Sequence, residues 1–216
     1  MTGQEPSKPI RLGVLLSGGG RTMLNLLDRI RAGELAAEVA TVVASRPCKG
    51  LERAREAGLP AHLVSRRRLS DTDAYSAAIT DLLVAAEVDL VCLAGFLSLW
   101  RLPPRYEGRA MNIHPALLPS FGGKGMYGRR VHEAVLAAGC KVSGCTVHFV
   151  TNEYDAGPII VQRCVPVAED DTSETLAERV FEQECIAYPR AISMFAADRL
   201  RIEAGVVRVA PTGESV

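Results

Sequence analysis

Residues 10–31 read IRLGVLLSGGGRTMLNLLDRIR, and the fold follows from how this stretch is parsed. Ile10 to Leu16 is an apolar run, and Ser17-Gly18-Gly19-Gly20 ends it, which predicts a buried strand running into a tight turn. From Thr22 to Arg31 the apolar residues Met23, Leu24, Leu26, Leu27 and Ile30 recur with the period of an amphipathic helix. A strand, a glycine turn and a helix in immediate succession form the opening unit of an α/β sheet.

The alternation continues outward from this unit. Strands are predicted at Glu38–Ser45, Ala61–Val64, Asp89–Phe96, Arg109–Ile113, Val142–Val150 and Pro158–Val167. Helices are predicted at Leu51–Ala57, from a Ser70-Asp71 cap to about Ala86, at about Arg129–Ala138, and from Thr172 to about Ala197. A hairpin about Gly205 joins Leu200–Glu203 to Val206–Val209. The run DLVCLAGF at Asp89–Phe96 is hydrophobic on successive residues, as in a parallel strand covered on both faces. The whole reads as α/β: a Rossmann-like open, mostly parallel sheet with helices on both faces. The short spacing of the late strands makes that part of the sheet partly antiparallel.

Composition narrows the class. With 48% hydrophobic and 23% charged residues, the 216-residue chain can bury a core, which excludes general disorder. Twenty-five Lys and Arg balance twenty-five Asp and Glu, so no global field draws the chain to nucleic acid or to an anionic membrane. No apolar run reaches the roughly 18 residues of a membrane-spanning helix. The six cysteines form no CxxC pair, which argues against a zinc ribbon or thioredoxin-like site and suits a reducing, cytoplasmic setting. Residues 1–9 are polar and are expected to be a flexible leader. Residues 10–210 are expected to be one domain, with a phosphate-binding half to about 108 and a catalytic half from about 109.

Ligands of such sheets bind beyond the carboxyl ends of the strands, so residues just after strands matter most. Gly18, Gly19, Gly20, Arg21 and Thr22 join the first strand to the first helix. Glycines let backbone approach an anion and a helix N-terminus offers free N–H groups, so this is a phosphate cradle or else simply a tight turn. Met23 stands where a dinucleotide fingerprint needs glycine, although Arg46 after the second strand leaves an NADP reading open. Gly122-Gly123-Lys124-Gly125 is not a nucleoside-triphosphate loop. Asn112 and His114 alternate onto one side of a strand end, where an amide donor and an imidazolium can stabilise an oxyanion. Asp155, in the loop between two later strands, can orient and charge such a histidine. His148 is a weaker candidate, and His62 and His132 read as structural or solvated.

SGGGRT, ASRPCKGLERAREAGLP, VDLVCLAGFL, GRAMNIHPALLPSF and GCTVHFVTNEYDAGPII occur in that order, and together they resemble the phosphoribosylglycinamide formyltransferases, folate-dependent enzymes of purine synthesis. The resemblance spans roughly Arg11 to Arg201. It implies Asn112, His114 and Asp155 as the catalytic trio, and the turn from Gly18 to Thr22 as the substrate phosphate loop. It makes Glu184 a substrate contact, and Leu97, Ser98, Leu99, Trp100, Asn112, Thr151, Asn152, Glu153, Tyr154 and Asp155 the lining of the folate site. Lys124, in a glycine-rich loop longer than that of many members, is expected either to reach the substrate phosphate or to be a solvated loop lysine. Thr72 occupies the place of a folate-contacting arginine, with Arg66, Arg67 and Arg68 close in sequence.

The implied reaction takes phosphoribosylglycinamide and 10-formyltetrahydrofolate as small-molecule co-substrates, with no metal, nucleic acid or membrane, and it is compatible with a homodimer. Two other readings stand beside it. One is a formyltetrahydrofolate deformylase-like hydrolase, whose usual N-terminal regulatory domain is not expected here. The other is a non-catalytic phosphate-binding Rossmann module. Methionyl-tRNA formyltransferase, with its added RNA-binding domain, is not expected either.

Overall fold

The structure is a computed structural model that describes residues 8–69 and 71–211. Most of the expected leader, residues 1–9, lies outside the described residues, as does Ser70, one of the two expected cap residues. The strands are β1 (Ile10–Leu16), β2 (Ala37–Ala44), β3 (Ala61–Leu63), β4 (Leu90–Leu93), β5 (Ala110–His114), β6 (Val142–Phe149) and β7 (Ile159–Pro166). They form one sheet in the order β3-β2-β1-β4-β5-β6-β7. Pairing is parallel from β3 to β5 and antiparallel between β5, β6 and β7. The hairpin β8 (Leu200–Glu203) and β9 (Val206–Val209) stands as a separate two-stranded sheet.

Alternation along the strands divides the apolar residues between two cores of unequal size. Leu12, Val14, Leu16, Val42, Ala44, Leu90, Cys92, Met111 and Ile113 face the larger one. There they meet α1 (Arg21–Arg31), α2 (Lys49–Glu56), α4 (Arg129–Ala137) and α5 (Ser173–Ala196). Leu15, Val43, Val91 and Ala110 face the smaller core, which α3 (Thr72–Ala85) closes with Tyr75, Ile79 and Leu83. Asp71 caps α3 by accepting from the N–H groups of Asp73 and Ala74, and Thr172 caps α5 with a capping box.

The structure trims the sequence reading at several ends. β4 stops at Leu93, because Ala94 to Leu97 bends away as a loop whose Leu97 N–H donates to Ser17 Oγ at 2.9 Å. A single 3-10 turn at Pro104–Tyr106 was not anticipated. Among the described residues no helix is long and apolar enough to cross a membrane, and all six cysteines are free thiols.

The topology places the chemistry. Strand order switches between the parallel neighbours β1 and β4, with β2 and β3 added on one side and β5 to β7 on the other, so a crevice opens beyond their carboxyl ends. The glycine turn after β1, the loop after β4 and His114 at the end of β5 all lie on that edge. Tyr188 on α5, fully buried, holds the middle of this arrangement: its hydroxyl lies 3.1 Å from the Leu93 carbonyl and 2.9 Å from that of Met111. One proton thereby serves two neighbouring strands next to the crevice.

Tyr188→Phe keeps the ring and opens no cavity, but it removes the hydroxyl donor from the Met111 carbonyl, which is buried, and the Leu93 carbonyl, which is partly so. Unfolding free energy should fall by about 1–3 kcal/mol. Equilibrium denaturation should show this as a lower midpoint at unchanged slope; a midpoint equal to wild type would deny the hydroxyl its role.

Candidate active site

The first wall of the crevice is the glycine turn. Its carbonyls are all taken from behind: Ser17 O accepts from Arg46 Nε at 2.7 Å, Gly18 O from the Gly50 N–H at 2.9 Å and Gly19 O from Arg53 Nη1 at 2.6 Å. The N–H groups of Gly18, Gly19, Gly20, Arg21 and Thr22 find no acceptor among the described residues. A loop with its acceptors tied back and its donors unspent, leading into a helix N-terminus, has the geometry of an anion cradle. Gly20 is needed for a further reason: its φ is +74°, and a Cβ there would lie 2.8 Å from Gly50 Cα. Around Gly18 there is open space, and a Cβ at Gly19 would meet only Arg53 Nη1, at 4.0 Å. The Arg21 guanidinium has partners of its own beside the turn. It pairs with Glu178 at 2.5 Å and lies 3.9 Å from the centre of the Phe181 ring.

The opposite side holds the trio. Antiparallel register sets Asn112 on β5 directly across from His148 on β6. Asn112 Nδ2 lies 3.1 Å from His148 Nε2 and 3.3 Å from Asp155 Oδ1. His148 Nδ1 donates to the Phe149 carbonyl at 2.8 Å, so its Nε2 is the nitrogen that accepts from Asn112. His114 Nε2 likewise donates to the Phe121 carbonyl at 2.8 Å. Its Nδ1 is turned toward Asp155 Oδ2 at 3.6 Å, beyond direct hydrogen-bonding distance. Asp155 Oδ2 also accepts the Gly123 N–H at 2.8 Å. Asp155 sits at φ +54°, a left-handed conformation that aspartate tolerates better than most residues.

Behind the trio, Thr146 Oγ1 donates to Ala116 O and accepts from the Leu118 N–H and Gln162 Nε2, while Gln162 also donates to Leu118 O. These bonds fix the chain just after His114.

Electrostatics differ from the sequence expectation at His114. Burial is the largest influence and pushes its pKa below the ordinary value; Asp155 and the Phe121 carbonyl pull it back only in part. The resting ring is therefore neutral near pH 7 rather than charged. Burial also pushes the Asp155 carboxyl up, but the contact with His148, the charge of His114 and the Gly123 N–H outweigh it and leave the group below the ordinary carboxylate range. Glu184, on the cleft wall, has no hydrogen-bond partner among the described residues; burial raises it to about 7, against the pull of Arg21.

Two chambers meet at the trio. The larger, about 570 Å³, runs from the glycine turn past Leu97, Lys124 and Glu184 to Asn112, His114 and Asp155. The smaller, about 70 Å³, lies between Ser98–Trp100 and Thr151–Tyr154, with Asn112, His148 and Asp155 at its base. Of the expected folate residues, Trp100 is also core: it is 2% exposed, and its indole N–H donates to Thr80 at 3.2 Å. Asn152 turns away from the chamber and accepts the Leu102 N–H at 2.9 Å. Arg66 donates to Thr72 Oγ1 at 2.8 Å, placing a guanidinium beside Thr72.

Two histidines outside the expected trio also lie at the site. His148 braces Asn112 and Asp155, and His132, 4% exposed, lines the larger chamber. Strand register and helix burial reveal them; spacing alone does not.

Fold and site define an α/β protein with a two-chambered crevice at the switch point of its sheet. The formyl transferase family model matches residues 10–192, and the chain belongs to that family. The crystal structure of glycinamide ribonucleotide transformylase 1 from Symbiobacterium toebii is 42% identical, with a TM-score of 0.90, and the match covers 98% of this chain and 100% of that one. A formyltetrahydrofolate deformylase from Pseudomonas syringae is 26% identical with a TM-score of 0.83, covering 95% of this chain and 67% of its own. The trifunctional purine biosynthetic protein adenosine-3 of Gallus gallus is 38% identical over 95% of this chain, which spans 20% of that protein's length.

A carboxyl group raised from 4.5 to about 7 favours the folded state while protonated, and that advantage is lost as pH rises from 4.5 through 7. Glu184→Gln removes the cost of the buried charge. Its melting temperature should exceed that of wild type at pH 8, and the difference should shrink toward zero by pH 4.5. A difference independent of pH would mean that Glu184 does not titrate in this window.

Proposed function

We propose that the chain transfers the formyl group of 10-formyltetrahydrofolate to the amine of phosphoribosylglycinamide. The observation that carries this reading is the pair of chambers sharing Asn112 and Asp155. A phosphate-bearing amine in the larger chamber and a formyl donor in the smaller would bring their reacting atoms together at the trio. The amine nitrogen attacks the formyl carbon, the bond from that carbon to the folate nitrogen breaks, and the proton lost by the amine ends on the folate nitrogen.

His114, neutral at rest, can take the amine proton on Nδ1. Asp155 then stabilises the imidazolium formed beside it. The charged ring and the Asn112 amide support the oxyanion of the tetrahedral intermediate, and the ring returns its proton to the leaving nitrogen. The free N–H groups of Gly18, Gly19 and Gly20 hold the phosphate, with Lys124 on the facing loop. Residues 10–210 act as one unit in this reading, and their free thiols suit the cytoplasm.

Folate turnover should require the ribonucleotide. Turnover with water alone would favour the hydrolase reading, and no turnover would leave only a binding module. Because burial depresses His114, activity should fall with acid only below about pH 6.5, as the resting ring gains its proton.

Asp155→Asn keeps shape but removes the charge that stabilises the imidazolium. Its kcat should drop by about 10²–10³ while both ligands bind within a few-fold of wild type. Adding His114→Ala should cost little more, since the pair acts as one unit. A folded Asp155→Asn protein with near-wild-type kcat would remove Asp155 from the mechanism.

A further inference from the structure

The wall of the larger chamber facing the glycine turn is built from Gly123–Gly128 and the first turn of α4. Lys124 and Arg130 belong to it, and neither makes an ion pair among the described residues; Arg130 instead lies 5.1 Å from the centre of the Tyr127 ring. This wall is suited to anionic or electron-rich ligand oxygens.

His132 is set into the same wall. It is 4% exposed, and its Nδ1 is buried without a hydrogen-bond partner. Its Nε2 also has no hydrogen-bond partner among the described residues but is not fully enclosed, so it is the ring nitrogen through which His132, as part of the chamber lining, can meet a ligand. A buried orphan N–H is rarer in folded proteins than a buried orphan acceptor, which assigns the proton to Nε2 and leaves Nδ1 bare. Burial foremost, and then the neighbouring His114 ring, disfavour a second proton on this ring. Its place in the first turn of α4, at the positive end of the helix dipole, acts in the same direction. His132 is thus a neutral N–H donor throughout the neutral pH range. A protonated lysine in its place would face a heavier desolvation cost.

Resting on the reading above, we infer that His132 binds the ribonucleotide directly, donating its Nε2 proton to a phosphate or amide oxygen of that substrate. Neither the glycine turn nor the trio supplies this contact. It would fix the substrate between the two ends of the cleft, and so set which amines are presented to the formyl carbon.

The test compares His132→Phe, which keeps a ring but has no N–H, with His132→Gln, whose amide can place a donor near Nε2. Both should melt within a few degrees of wild type. His132→Phe should raise the KM for phosphoribosylglycinamide about 10-fold or more. The KM for 10-formyltetrahydrofolate and the kcat should stay within about 3-fold, because a contact made equally in ground and transition states moves only KM. His132→Gln should recover most of the loss.

Competitive inhibition by inorganic phosphate identifies the oxygen. A Ki raised in parallel assigns the contact to the phosphate, and an unchanged Ki assigns it to the amide. An unaltered KM in His132→Phe overturns the inference, as does an equal rise in both KM values for the two variants, which would mark a packing role. If wild-type protein shows no ribonucleotide-dependent turnover, the functional reading falls by itself. Calorimetric binding of the ribonucleotide to the same variants then applies the same criteria to His132.

Discussion

The Asp155 carboxylate is where the structure's constraints converge. Its two oxygens face the Gly123 N–H, the Asn112 amide and the rings of His114 and His148, and these come from β5, β6 and the glycine-rich loop. A buried carboxylate is tolerated only when its lone pairs are satisfied, so each of those segments must sit where it does for the charge to remain. The left-handed backbone at Asp155 delivers the side chain to that point. Gly122 shows how close the packing is, since a Cβ there would lie 2.5 Å from Leu118 Cδ2 and 3.2 Å from Asp155 Cβ.

The change from parallel to antiparallel pairing serves the same end. In the parallel half, strands β1 and β4 deliver only their carboxyl-terminal loops to the crevice. Antiparallel β6 brings side chains across from β5 instead: His148 opposite Asn112, and Thr146 opposite His114. β7 adds Gln162 opposite Thr146. The sheet therefore joins two kinds of site. On the proposed reading one is a backbone cradle that reads charge through N–H groups, and the other a side-chain cluster that does proton chemistry.

Much of the fold was legible in the sequence because it rests on local rules. The apolar run at Ile10–Leu16, the glycines after it and the 3.6-residue period of α1 required no knowledge of distant residues. Asn112, His114 and Asp155 could be picked out singly, but it was the ordered resemblance that grouped them. What stayed hidden was long-range. Arg21 is neutralised by Glu178, a partner 157 positions away, and no local pattern announces that pair. The register that places His148 on Asn112 is set by packing of the whole antiparallel half. The weak charge on His114 follows from a contest between burial and Asp155, and only coordinates reveal which of the two is larger.

That contest has a chemical consequence. The Asp155 carboxylate and a neutral His114 together carry a single negative charge before substrate arrives. Attack of an amine on a formyl carbonyl generates positive charge on nitrogen and negative charge on oxygen together. A ring already protonated could assist only the oxygen, whereas a neutral His114 beside Asp155 can relieve the nitrogen first and then, as imidazolium, support the oxygen. On the proposed reading, burial that depresses the ring's pKa is thus useful rather than merely costly: it holds the proton-accepting form ready near neutrality, while Asp155 limits how far the pKa falls and keeps transfer back to the leaving nitrogen within reach. Removing either influence would unbalance the pair in opposite directions, burial alone giving a ring too weak to accept and the carboxylate alone giving a ring already filled.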